Sequence, residues 1–146
     1  MKRIVTVGLI VVLGLTLALS FGCSSKKTAA NSGPQLAVEG AKVSGTLAEG
    51  YPEDLPLWEG AKVTKSKLTK KTTSVFEVDL TINSSFDKAL YGFGEGYKKA
   101  GWDTQTVSED KTNALISAIK GDESAAISIN DNGDKTTTVV LSVQMK

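Results

Sequence analysis

Apolar and polar positions change period twice along this chain. From Ser74 to Ile82, the residues Phe76, Val78, Leu80 and Ile82 alternate with Glu77, Asp79 and Thr81. That period of two is what a strand with one covered face requires. From Ser84 to Trp102 the period lengthens. At about 100° per residue, Phe86, Ala89, Leu90, Phe93, Tyr97 and Ala100 share an arc of roughly 100°, wide enough to face a core. Lys88, Tyr91, Glu95, Lys98 and Lys99 take the other side. Ser84 is placed to cap this helix with Asp87 three residues on, and Gly101 stands where a left-handed residue would end it. After Trp102 the period of two returns, predicting strands over 102–108, 113–120, 124–130 and 135–144. Asn132-Gly133, inside Asp131–Asp134, predicts a type I′ hairpin turn. A weaker, lysine-rich strand is predicted from Ala61 to Leu68. The order β-β-α-β-β-β-β predicts an α+β fold of two layers, an antiparallel sheet of about six strands covered by one amphipathic helix.

The stretch before Ala61 follows other rules. Tyr51 to Trp58 carries two prolines and cannot be a central strand. It reads as an extended lead-in whose Leu55, Leu57 and Trp58 cover one end of the core. Residues 51–146 hold one modest core and are too few for two domains. From Ser24 to Gly50 there is no aromatic residue and the chain is dense in Ser, Thr, Ala, Gly and Lys. This composition reads as a tether, spanning on the order of 30 Å if flexible. Glu39-Gly40-Ala41-Lys42-Val43 recurs as Glu59-Gly60-Ala61-Lys62-Val63. Two copies are too few for a solenoid. Chance or local duplication accounts for the recurrence, and a short strand at the sheet edge is the other reading of the first copy.

At the N-terminus, Met1-Lys2-Arg3 precedes an apolar run from Ile4 to Phe21, and Gly22-Cys23 is followed by polar Ser24-Ser25-Lys26-Lys27. This is the pattern of an export signal. A small residue before a cysteine at the end of such a run resembles the lipobox of bacterial lipoproteins, whose cysteine is lipidated after cleavage. The family usually has leucine three residues before the cysteine, where this chain has Ser20, with Leu19 one place further back. An uncleaved membrane anchor and a plain signal peptide containing Cys23 are the competing readings. The expected division is a signal peptide over 1–22, a lipidated Cys23 and tether over 23–50, and one α+β domain over 51–146. Such a protein sits in the bacterial cell envelope, held to a membrane by its acyl chains.

Composition then narrows the chemistry. The chain carries 17 basic and 16 acidic residues, no histidine and one cysteine. Removing residues 1–22 takes Lys2 and Arg3 and no acid, leaving 15 basic against 16 acidic, a net charge of −1. A near-neutral protein has no electrostatic footprint for nucleic acid. Without histidine, neither a Ser-His-Asp nor a Cys-His triad can be assembled, and the commonest metal ligand is missing.

The remaining motifs are weak as chemistry. Gly92-Phe93-Gly94-Glu95-Gly96 fails the dinucleotide and P-loop spacings. Gly92 and Gly96 instead share a flank with Ala89 and Ala100. This small-residue ridge reads as close docking of the helix on its own sheet, or as a contact for a second chain. Asp131, Asn132 and Asp134 lack the spacing and the glutamate of a calcium loop. The pairs Glu53-Asp54, Glu109-Asp110 and Asp122-Glu123 fall at turns as solvated charges. Lys62, Lys65, Lys67, Lys70 and Lys71, without interleaved aromatics, are explained more economically as protection for an edge strand than as a binding patch. Tyr51, Trp58 and Tyr91 are the aromatics left for a binding surface. No catalytic residue, metal or cofactor is indicated.

The run Pro52 to Ala61, a hydrophobic strand, and a helix ending Ala100-Gly101-Trp102 together resemble small secreted or lipid-anchored bacterial domains with no assigned activity. The similarity runs loosely over residues 52–144. It implies a fold type and an envelope location, and no catalytic residues. The expected function is a non-enzymatic envelope module that binds a protein, a wall component or a small ligand. The alternative is a small ligand-binding or hydrolytic envelope protein using Ser, Asp and Glu.

Overall fold

The computed structural model describes residues 34–146. The export signal, Cys23 and the first part of the expected tether lie outside these residues. Among the described residues the chain forms β1 (Ala37–Val38), β2 (Leu57–Trp58), β3 (Lys62–Lys70), β4 (Ser74–Ile82), α1 (Phe86–Lys99), β5 (Asp103–Glu109), β6 (Asn113–Lys120), β7 (Glu123–Asp131) and β8 (Thr137–Met145). Strands β3 to β8 make one antiparallel sheet in the order β3-β4-β8-β7-β6-β5, and β1 pairs with β2 in a second, two-stranded one. The class is α+β, as the alternating periods predict. Its topology follows from one crossing. The helix carries the chain from β4 to the far edge at β5, and the β5–β8 meander returns until β8 pairs with β4.

Register explains why the pairing is single-valued. Val78 faces Leu141, which faces Ile127, which faces Ile116; Leu80, Val139, Ile129 and Ala114 make the next row. All eight are buried. A one-residue slip in any strand would turn such a row to solvent and lose about 1.5–3 kcal/mol for each large aliphatic.

The helix stops as the sequence predicts and starts differently. Gly101 adopts φ +85°. Its N–H donates to the Lys98 carbonyl and the Trp102 N–H to that of Tyr97, both at 3.0 Å, a Schellman ending. Tyr97 and Trp102 then pack edge to face with centroids 5.5 Å apart, the hydrophobic contact that accompanies this motif. At the other end Ser85, not Ser84, occupies the N-cap, and its side chain makes no capping bond. The Ser84 carbonyl instead accepts the buried Thr137 hydroxyl at 2.8 Å. Ser84 is thus committed to β8, which fixes the angle at which α1 leaves the sheet.

Two further expectations are corrected. Asn132-Gly133 does not form a type I′ turn, because that turn needs positive φ at both residues and only Gly133, with Lys135 two places on, has it. Residues 132–136 form a longer loop, closed by the Asn132 N–H on the Thr136 carbonyl at 3.1 Å. The side chains of Asp131 and Asp134 accept the backbone N–H groups of Gly133 and Thr136. These internal bonds outcompete the tighter turn.

The fold also begins well before Tyr51. Ala37 is 2% exposed and pairs with Trp58. Ser44 makes an isolated parallel bridge to Lys62, the Gly60 N–H donates to the Lys42 carbonyl at 2.8 Å, and the Ala48 N–H donates to Ser66 Oγ at 2.8 Å. The first copy of the repeated pentapeptide therefore runs beside the second through the Gly60–Lys42 bond, and the single bridge at the start of β3 falls on Ser44, just after it. The reason is coverage. The helix packs against β1, β5, β6 and β7, so the β3–β4 side needs another cover. The segment from Ala41 to Trp58 supplies it, with Tyr51 edge-on to Phe76 at 5.6 Å and Leu55 and Leu57 buried.

Candidate functional site

The small-residue ridge lies where the N-terminal segment crosses the helix. Ala89, Gly92 and Gly96 are buried and Ala100 is half-buried. A methyl group at Gly92 would stand 2.5 Å from Trp58 Cζ3 and 2.6 Å from the Gln35 carbonyl oxygen, and one at Gly96 would collide with the Ala37 carbonyl. The ridge therefore receives β1 and Trp58. It faces neither the six-stranded sheet, as the docking reading expected, nor an open surface ready for a second chain.

This contact takes Trp58 from the three aromatics predicted for a binding surface, and Tyr51 is half-buried elsewhere. Trp58 is 4% exposed and stacks on Phe93 with centroids 5.7 Å apart, filling the space the glycines leave. Tyr51 lies against Phe76, and its hydroxyl is buried without a partner, as are the Tyr97 hydroxyl and Trp102 Nε1. Burial pushes both phenols well above the ordinary tyrosine range, since an ionised phenolate there would lose its hydration. Neither can serve as a base near neutral pH. Tyr91 alone is where the sequence put it, 52% exposed, and the three aromatics do not meet.

Tyr91 belongs to a different surface. It stands with Leu90 and Gly94 on the helix side of a groove of about 260 Å³ whose floor and far wall are Ile116, Thr104 and Thr106. Glu95 and Lys98 on the same wall pair with each other at 2.8 Å. The groove ends at β5, which hydrogen-bonds only to β6 and so forms the free edge of the sheet. On the opposite face of the same edge, Asp103, Gln105, Ser117 and Ile119 line a second concavity of about 310 Å³. A register shift between Thr106 and Ser108 leaves Val107 standing out at 58% exposure, and Ile119 is 54% exposed.

Acidic groups elsewhere hold loops together. Asp110 accepts the N–H groups of Thr112 and Asn113, each at 2.8 Å, and these bonds lower its pKa. The Thr136 hydroxyl and N–H do the same for Asp134. Such carboxylates are spent on their own turns. Among the described residues no three His, Cys, Asp or Glu side chains are grouped to hold a metal.

Comparison with family models, with curated proteins and with solved structures gives no match. The surface is therefore read from its own residues. Sequence reasoning found Tyr91 through its place on the polar flank of the helix. It passed over Val107 and Ile119, although both sit in phase with polar neighbours (Val107 with Asp103 and Gln105, Ile119 with Ser117), which marks an apolar side chain on an otherwise polar face.

Proposed function

We propose that this protein is an exported, lipid-anchored component of the bacterial cell envelope whose α+β domain binds an envelope protein or wall component and catalyses no reaction. The observation that carries the reading is Cys23, the single cysteine, placed directly after an apolar run and ahead of a polar segment. An unpaired thiol has little reason to persist in an exported chain unless it is used. Acyl chains on Cys23 contribute about 0.8 kcal/mol per buried CH₂. They would hold the domain at the end of the residues between Cys23 and Pro34, a shorter lead than the sequence alone suggested.

Alternating burial along β4, β6, β7 and β8 supports a two-layer reading, and with it a binding role. With the helix and the N-terminal segment on one face, the opposite face and the β5 edge are left to water and to partners. The shallow surface around Tyr91, with exposed apolar side chains and paired charges, suits a macromolecular contact better than the enclosed site a small substrate needs. Substituting Cys23→Ser tests the anchor. The variant should leave the membrane fraction or accumulate with its signal uncleaved, and a variant that stays in the membrane fraction, processed as the wild type is, would contradict the reading.

A further inference from the structure

The two edges of the six-stranded sheet are built in opposite ways. At β3, Lys62, Lys65, Lys67 and Lys70 line the strand and Ser44 bridges its start, which blocks the approach of another strand with charge and with a partner already in place. Strand β5 has the sequence DTQTVSE, with neither lysine nor proline. Its outer row of backbone N–H and C=O groups has no partner strand in the sheet. Three of the four exposed large apolar side chains among the described residues, Tyr91, Val107 and Ile119, stand around this one edge. Concavities lie on both of its faces. Beyond its charged ends and the register shift between Thr106 and Ser108, nothing in β5 blunts the edge as folded proteins normally do, and a cluster of exposed apolar groups marks a contact surface.

We propose that β5 is an acceptor for an extended segment of a partner protein, which adds beside it as a seventh strand of the sheet. The inference rests on the binding role proposed above and names the partner's chemistry. Backbone groups along β5 supply the affinity common to such additions, and alternate side chains enter the two concavities. Those side chains are modest and apolar or hydroxylic, because Tyr91, Leu90 and Ile116 wall one groove and Ile119 the other. Charge sets the ends. Asp103 opens the strand and Glu109 closes it, and neither is in an ion pair among the described residues. The segment that fits carries a basic residue at each end.

The same charges argue against a second copy of this chain. Antiparallel self-pairing centred on Thr106 would set Asp103 of one copy opposite Glu109 of the other at both ends, and directly opposed like charges destabilise a ladder.

The test uses the full-length protein in mild detergent and a peptide as long as β5 that alternates valine and threonine with lysine at each end. A second peptide has glutamate at each end. Hydrogen exchange read by mass spectrometry should show protection gained over residues 103–109, and the glutamate-ended peptide should bind at least roughly tenfold more weakly. Asp103→Lys combined with Glu109→Lys, both exposed positions, should reverse that preference. Protection along β3 or nowhere, equal binding of the two peptides, or sedimentation as a β5-paired dimer would each overturn the proposal. The state of Cys23 is read on the same preparation. Acylated Cys23 without peptide binding defeats the edge site alone, whereas peptide binding by an unmodified chain defeats the anchor alone.

Discussion

Gly92, Gly94 and Gly96 lie on one helix and have three different neighbourhoods. A methyl group at Gly94 would meet only Ile116 Cδ1 at 3.9 Å, an ordinary contact, so Gly94→Ala should stabilise the domain by about 0.5–1 kcal/mol through helix propensity. At Gly92 and Gly96 the neighbours are an indole ring and backbone carbonyls, which cannot swing aside. There alanine should destabilise by about 1–3 kcal/mol. Thermal melts of the three single variants check this. Stabilisation by Gly96→Ala would mean that β1 does not lie against the helix. The flank that Gly92 and Gly96, at i, i+4, share with Ala89 and Ala100 was legible in the sequence, as was the burial of Phe93, which is fully enclosed. What lay across the ridge was not, because Leu36 and Val38 alternate with Gln35 and Ala37, and that pattern turns the larger apolar pair inward, whereas Ala37 is buried and Val38 exposed. Trp58 was read both as core cover and as surface, and only the absence of side chains at Gly92 decides for the core.

At the scale of elements, strands β4 and β6 end where their alternation ends, since each carries its own period over a full strand length. Loops and the N-terminal segment are set by contacts distant in sequence, and local pattern misjudged both. The segment before Tyr51 is the clearest case. It buries Ala37 and half-buries Ala41, Val43 and Leu47, and it covers the glycine face. A chain that begins at Tyr51 should therefore be about 2–4 kcal/mol less stable in denaturant than one that begins at Pro34, and equal stability would restore the longer tether. The β5–β6 turn yields a pH effect. Hydrogen bonds from Thr112 and Asn113 lower the pKa of Asp110 in the folded chain. Its contribution is therefore present above the ordinary carboxylate pKa and is lost as pH falls through the lowered value. Melts of Asp110→Ala beside the wild type should differ at neutral pH and converge in acid. A gap that stays constant to the acid end would assign the effect to something other than this carboxylate.

The whole molecule joins two halves that the sequence presents differently. The N-terminal export pattern is strong in sequence, while the domain's surface became legible only once β5 was seen to be an edge. Edge position depends on strand order, which alternation does not encode: a strand in the middle of the sheet could carry the same DTQTVSE pattern. Charge also divides between the halves. The described residues hold 13 basic and 16 acidic side chains, a balance of −3, and the other four basic residues, Lys2, Arg3, Lys26 and Lys27, all precede Pro34. The acidic ends of β5 are thus part of a mildly acidic domain, in keeping with a partner segment that brings positive charge. The proposed function, as distinct from the fold and the β5 edge, rests on delivery of the domain to an envelope membrane through Cys23. The intact mass of the protein purified from that membrane tests the point most directly. The account predicts a chain that begins at Cys23 and carries acyl groups on it. A mass corresponding to an unmodified chain that begins at Ser24 or later would contradict it.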